Sequence, residues 1–292
     1  RTLYAGFTRW SEEAPCPSER GADRAYARAL ARRAVIEATG FKPGPVHLNL
    51  PFREPLLPSA IGTRETAERA RSSEFRAADA RIDPSLAGSL AGEPRGIERG
   101  VLLFGPDNWD PALADAAHAL AAKLGWPIVA DPASGLRAGW PADGAVIHGA
   151  DLMLRDAAVS DALRPDRIVR FGGQPTRASI VAWMARHPHA DVWLVDPANG
   201  FRDPQHRANR WLRASPREFC ELAASAADQV KAPAAWLVQW QHADRVARAA
   251  ADAALDSELR FLTPHIARSL WSGLPEGATL YVANSMAIRE ID

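Results

Sequence analysis

The chain has 292 residues, 47% of them hydrophobic, with 35 basic side chains against 35 acidic ones. That length suggests about two domains, and the hydrophobic share is ample for buried cores. A formal net charge of zero argues against a nucleic-acid or polyanion partner, which would select a basic surface.

The basic residues are nearly all Arg, with Lys only at 42, 123 and 231. With the many Ala residues, this reads as the bias of a GC-rich genome before it reads as function. Cys16 and Cys220 are too few for a disulfide framework and lack the paired spacing of a zinc site, so they read as free structural thiols. No run approaches the roughly 20 apolar residues of a membrane span, and no signal peptide is visible, so a cytoplasmic location is the default. The chain opens at Arg1 without Met and stops at Ile291-Asp292. Both ends read as cut, and the expectation is a piece of a longer protein.

In chain order, residues 8–20 read as a loop, with Glu12-Glu13 a solvated acidic pair or the charges opening a helix. Asp23 to Thr39 carries Tyr26, Ala27, Leu30, Ala34, Val35 and Ala38 at helical spacing, and Gly40 stops it. Val46 to Leu50 reads as a short buried strand, fenced by Gly44-Pro45 and Pro51 because proline cannot donate to a ladder. Pro51, Pro55 and Pro58 then force a stiff extended arm. His47 and Asn49 share one strand face, which assigns them packing or interface roles. Residues 59–98 are polar, weakly periodic and linker-like.

From Gly100 strands and helices alternate. Strands are expected at 101–104, 127–130, 167–171 and 191–195, with helices at 111–124, 150–163 and 176–186. A last helix opens at Ser215-Pro216-Arg217-Glu218, with Ser as cap and Glu three residues on. This alternation means a parallel sheet covered on both faces, an α/β fold. After the joint Lys231-Ala232-Pro233, residues 234–255 form an amphipathic helix with Trp236 and Trp240 on its apolar side. A helix around 264–270 and a strand at 278–283 begin a further domain. The expected organisation is 1–58, the C-terminal part of a first domain; 59–98, a linker; 99–230, a central α/β domain; 231–258, a linker helix; and 259–292, the start of a third domain.

The central domain invites a nucleotide-binding reading, which the residues reject. Its first strand runs into Phe104-Gly105-Pro106-Asp107-Asn108, with one glycine and a proline where a phosphate cradle needs N–H groups. Gly172-Gly173-Gln174-Pro175 is a better candidate loop, although a tight turn is its simpler reading. His187-Pro188-His189 offers two imidazoles but no third ligand, so surface-loop histidines are the simpler reading. No G-x-S-x-G is present to support a hydrolase nucleophile, and the tryptophans read as core or interface anchors. The sharpest polar cluster is Asn284-Ser285-Met286-Ala287-Ile288-Arg289-Glu290, directly after an expected strand, at the edge where parallel sheets bind ligands. A helical turn would put Ser285 and Arg289 on one face, where they would suit a carboxylate or phosphate. From spacing alone, a Ser cap followed by a surface Arg is the simpler reading.

Three separated stretches carry a family resemblance. Gly44-Pro45-Val46-His47-Leu48-Asn49-Leu50-Pro51-Phe52-Arg53-Glu54-Pro55-Leu56, the upstream Leu3-Tyr4-Ala5-Gly6-Phe7-Thr8-Arg9-Trp10, and the final Asn284-Ser285-Met286-Ala287-Ile288-Arg289-Glu290-Ile291-Asp292 occur in the expected order. Together they resemble the 2-succinyl-5-enolpyruvyl-6-hydroxy-3-cyclohexene-1-carboxylate synthases, thiamine diphosphate enzymes of menaquinone biosynthesis. Related decarboxylases and acetolactate synthases share Gly-Pro-Val and a following Pro, but usually not His-Leu-Asn.

The resemblance implies a three-domain architecture: a pyrimidine-binding domain, a middle domain without cofactor, and a diphosphate-binding domain, the first and third truncated here. It implies decarboxylation of 2-oxoglutarate on thiamine diphosphate with Mg2+, addition of the succinyl unit to isochorismate, and a homodimer or homotetramer. It marks Ser285, Arg289 and Asn284 as facing substrate or cofactor. The family commonly has a Lys near the helix start around Thr176. Here Ala178 stands in its place, and Arg177 is a displaced substitute. The ring-activating Glu and the metal motif fall outside residues 1–292, so no catalytic residue and no metal ligand is assigned in this chain, which by itself is expected to be inactive. Two alternatives stay open: another thiamine diphosphate enzyme of acetolactate synthase or decarboxylase type, and a non-catalytic α/β binding protein.

Overall fold

The computed structural model describes residues 3–4, 6–18, 21–40, 42–54, 56, 82, 97–107, 110–138, 144–197, 202–227 and 234–291. These fall into two compact units, one within Arg1–Asp79 and the other across Ala80–Pro197 and Phe201–Asp292. Most of the expected linker 59–98 lies outside the described residues.

The first unit holds strand β1 (Trp10–Glu13), helix α1 (Gly21–Thr39) and strand β2 (Val46–Asn49). β1 and β2 pair in parallel, Trp10 opposite Val46 through Glu13 opposite Asn49. A strand thus stands where the sequence suggests a loop. Trp-Ser-Glu-Glu alternates half-buried and exposed along the pleat, and the ladder with β2 satisfies a backbone that the acidic side chains alone would assign to solvent. The Arg33 guanidinium lies 4.3 Å from the centre of the Trp10 ring and ties α1 to β1. β2, expected to be buried, is only half-buried, and Asn49 is exposed. His47 does pack, its ring centre 4.9 Å from that of Tyr4.

The second unit is built on a six-stranded parallel sheet of β3 (Gly100–Phe104), β4 (Ile128–Ala130), β5 (Val146–Ile147), β6 (Arg167–Phe171), β7 (Asp191–Val195) and β8 (Arg210–Leu212). Its spatial order is β5-β4-β3-β6-β7-β8, so the direction of winding reverses between β3 and β6. β3 and β6 are buried along their whole length, as strands covered on both faces must be. β5 and β8 are too short and too polar in their surroundings to show as strands by periodicity.

One face is covered by α2 (Pro111–Leu124) and α6 (Pro216–Ala226), which pack on each other. Phe171 stacks on Phe104 and meets Phe219 of α6 edge-on. α2 starts at an Asp110 cap, whose carboxylate accepts the Ala112 N–H, and ends at Gly125 in the left-handed conformation. Ser215 makes no such side-chain cap at α6, contrary to the sequence pattern. Glu218 instead accepts the backbone N–H of Ile82, a buried residue of the core.

A second group of helices comprises α3 (Ala150–Met153), α4 (Ala157–Ala162), α5 (Ala178–Arg186) and the long α7 (Ala234–Ser257). The single helix expected over 150–163 is broken at Leu154–Asp156, because Asp156 turns to cap α4 through the Val159 N–H. α7 is fastened to the sheet domain: Trp240 meets Trp183 and Trp236 edge-on, and the Trp236 indole donates to the Gly100 carbonyl at 2.8 Å. Asp244 of α7, 1% exposed, accepts the Gly149 N–H that opens α3. α8 (Thr263–Gly273) and α9 (Met286–Ile291) follow. The strand expected over 278–283 has no ladder partner among the described residues and is not formed.

His187 corrects the surface-loop reading. It is buried, its Nε2 lies 2.9 Å from the Ser160 carbonyl oxygen, and its ring meets Trp183 edge-on. His189 is exposed. Burial pushes the His187 imidazole below its ordinary pKa, outweighing the opposing effect of the Ser160 carbonyl, and His118 and His148 shift the same way for the same leading cause.

Below the ordinary imidazole pKa of about 6.5, the unfolded chain binds protons that these folded histidines refuse. Unfolding free energy should therefore fall as pH drops from that value towards the depressed ones, and His187→Gln should make that slope shallower in urea titrations at several pH values. Arg170 of β6 is buried against Asp203, Nη1 to Oδ1 3.1 Å. Asp203→Ala would leave that buried guanidinium only the Arg202 carbonyl and the attraction of Asp196, and should cost about 3–5 kcal/mol in urea unfolding followed by tryptophan fluorescence.

Candidate functional site

The reversal between β3 and β6 is where open α/β sheets usually bind ligands, but here backbone fills it. The Gly105 N–H donates to the Phe171 carbonyl and the Gly173 N–H to the Pro106 carbonyl, each at 2.9 Å. A Cβ on Gly105 would stand 1.9 Å from the Gly173 oxygen, so only glycine allows the two loops to meet. The Gly172-Gly173 stretch serves this closure, with Gly172 left-handed at φ 70°.

The polar cavity lies one step further along, at the start of α5. Asp131, 1% exposed at the end of β4, accepts the Thr176 N–H and hydroxyl through Oδ2, both at 2.7 Å, and the Ala133 N–H through Oδ1. This pins the β6–α5 loop just before Arg177. Arg177 then caps α5 with an extended backbone and a buried side chain. Its Nη2 donates to the Arg289 carbonyl of α9 at 2.7 Å, and its Nη1 stands 4.0 Å from Asp151 of α3. Asp151 also accepts from the Ser179 hydroxyl and from Arg155, in the turn that follows α3.

These residues line a cavity of about 470 Å3 that Thr176 and Arg289 help to close. A neighbouring cavity of about 810 Å3 shares Asp151, Arg155, Arg177 and Arg289 and reaches between α7, α8 and α9. Four arginines and one aspartate line the smaller one, which makes it a focus of positive potential. Burial alone would raise the Asp151 pKa, but the Ser179 hydroxyl with Arg155 and Arg177 outweighs it, and the carboxyl is held below its usual range. The cavity therefore presents guanidinium forks braced by one ionised carboxylate, a donor set for carboxylate or phosphate oxygens.

Of the four residues picked from sequence, the structure brings Arg177 and Arg289 together across 112 positions. Asn284 and Ser285 are exposed and line neither cavity. Ser285 precedes α9 in a left-handed conformation, φ 68°, so it does not share a helical face with Arg289. Asp151, Arg155 and Ser179 were missed. The i, i+4 spacing of Asp151 and Arg155 is a visible signal, whereas nothing local marks Ser179. Among the described residues, no group of three or more His, Cys, Asp or Glu could hold a metal ion, and none of their helices is long and apolar enough to cross a membrane.

A family model described as the middle domain of thiamine pyrophosphate enzymes matches residues 97–282, which takes in the whole parallel sheet. The chain belongs to this family. It is also similar to curated proteins named 2-succinyl-5-enolpyruvyl-6-hydroxy-3-cyclohexene-1-carboxylate synthase. Identity is 33% over 291 residues to the protein of Bacillus velezensis and 33% over 293 residues to that of Geobacillus kaustophilus, covering 99% of this chain and 50% of each relative. The Chloroflexus aurantiacus protein is 34% identical over 293 residues, 99% of this chain and 49% of its own length. The chain thus spans about half the length of the curated relatives it matches.

Asp131 holds the loop and is not among the residues that line either cavity. Asp131→Ala should leave the Thr176 donors unpaired and cost about 1–3 kcal/mol for each one that stays buried, read as a lower urea midpoint.

Proposed function

We propose that this chain is the central portion of a 2-succinyl-5-enolpyruvyl-6-hydroxy-3-cyclohexene-1-carboxylate synthase, and that its own task is to bind and orient substrate carboxylates. In the proposed reaction 2-oxoglutarate loses CO2 and its succinyl unit is added to isochorismate. The observation that carries the reading is the meeting of Arg177 and Arg289 at one cationic cavity. Both substrates are carboxylates, and a planar guanidinium pairs with a carboxylate through two parallel hydrogen bonds. The names of the relatives that match 99% of the chain support the same reaction.

Thiamine diphosphate, when bound, supplies the electron sink for such a decarboxylation. The residues described here do not fit its Mg2+: the cavity's donors are guanidiniums, which repel a cation. What the chain does is hold an anion against Arg155 and Arg289, with Arg177 between them and Asp131 and Asp151 setting where those side chains stand. In this reading the full-length enzyme is a cytoplasmic homodimer or homotetramer.

Calorimetric titration of the chain with 2-oxoglutarate, and with pyruvate as the monocarboxylate control, tests this. Binding of 2-oxoglutarate should exceed that of pyruvate. Arg289→Ala should weaken it by roughly 10- to 150-fold, the worth of a charge-assisted hydrogen bond of about 1.5–3 kcal/mol. Equal binding of the two acids, or indifference to Arg289→Ala, would sink the reading.

A further inference from the structure

A carboxylate beside an anion site works against it by charge, so the place of Asp151 among four arginines needs a reason. Its side chain is 15% exposed, so it is neither hidden from the cavity nor free in solvent. Each contact it makes restrains something else. The Ser179 hydroxyl ties α3 to the first turn of α5, and Arg155, in the turn after α3, is folded back onto that helix. The third neighbour, Arg177 Nη1, faces Asp151 while Nη2 of the same guanidinium is committed to the Arg289 carbonyl. The Arg177 guanidinium is thus a strut between α3 and α9. Arg155, whose side chain is 63% exposed, and Arg289, which is exposed, keep donors for the cavity.

We infer that Asp151 is the positioning residue of this site, a carboxylate that braces the guanidiniums of Arg155 and Arg177 and, through Arg177, sets where α9 carries Arg289. The inference rests on the carboxylate-binding reading above and adds the residue that orders its arginines. Asp151 does not meet the substrate. It removes rotamer freedom from two long side chains before the ligand arrives, so that binding does not have to order them. Its charge is matched by the arginines it holds, and the cavity stays cationic.

The sign of one substitution separates this role from plain electrostatics. Asp151→Asn removes a negative charge next to an anion site, so a residue acting by charge alone would bind 2-oxoglutarate more tightly once neutralised. A positioning residue would bind it more weakly, by about tenfold, as when an orienting partner behind a binding shell is lost. The full 292-residue chain is titrated with 2-oxoglutarate by calorimetry, with thermal unfolding run alongside. Ser179→Ala, which changes no charge and removes only one of the contacts to Asp151, should shift affinity the same way by about twofold, and it carries the test if Asp151→Asn does not fold.

A ligand-free readout decides the matter separately. The Arg177 Nε–H resonance, assigned by its disappearance in Arg177→Lys, should lose protection from solvent exchange in Asp151→Asn. Equal or tighter binding in both variants, or unchanged protection of that resonance, overturns the inference. If the parent chain does not bind 2-oxoglutarate, the substrate reading of the preceding subsection fails. The bracing of Arg177 by Asp151 is then upheld or overturned by the exchange measurement alone.

Discussion

The constraint on which the second unit depends is the closing of the crevice between β3 and β6. A doubly wound parallel sheet opens a gap where its winding reverses, and many proteins place a cofactor there. In this chain the Gly105 and Gly173 loops exchange backbone hydrogen bonds across the gap, and no side chain would fit between them. The edge that could have held a ligand becomes part of the scaffold. Polar chemistry is displaced to the β6–α5 loop and the helices packed beyond it.

Buried carboxylates then set the position of that chemistry. Asp131 fastens the β6–α5 loop to the end of β4, and Asp244 fastens the start of α3 to α7. Each satisfies backbone donors that would otherwise be unpaired at loop and helix starts. With both ends of the cavity held, Arg177 can cross it and meet α9. A fold whose family is defined by thiamine pyrophosphate enzymes thereby contributes an ordered cluster of guanidiniums, in keeping with the general rule that function is carried by sites grafted onto a shared fold.

The legibility of these features in the sequence follows their range. The strands Val101–Phe104, Arg167–Phe171 and Asp191–Val195, and the helix Pro111–Leu124, are announced by local apolar runs and caps, and all of them form. β1 was missed because Trp-Ser-Glu-Glu becomes a strand only through its ladder with β2. The expected strand at 278–283 is the converse case, an apolar run with no described neighbour to pair with. His187 looked like a surface residue because a His-Pro-His loop carries no local sign of the Trp183 ring and Ser160 carbonyl that enclose it. At the cavity, Arg289 stands out in a local polar cluster and by resemblance, and Arg177 by resemblance alone. Asp151 and Ser179 became visible only when α3 and α5 were placed side by side.

By itself the sequence determined the α/β class, the alternation that builds the parallel sheet and the family, and it marked two arginines that line the candidate cavity. These depend on hydrophobic period, punctuation by Gly and Pro, and short motifs, all of which act over a few residues. Tertiary structure alone decided that the β3–β6 crevice is closed, that Ser285 stands apart from Arg289, and that an aspartate on a four-residue helix braces the guanidiniums. Those outcomes depend on distances between groups far apart in the chain, which only the packing of the sheet and its helices sets.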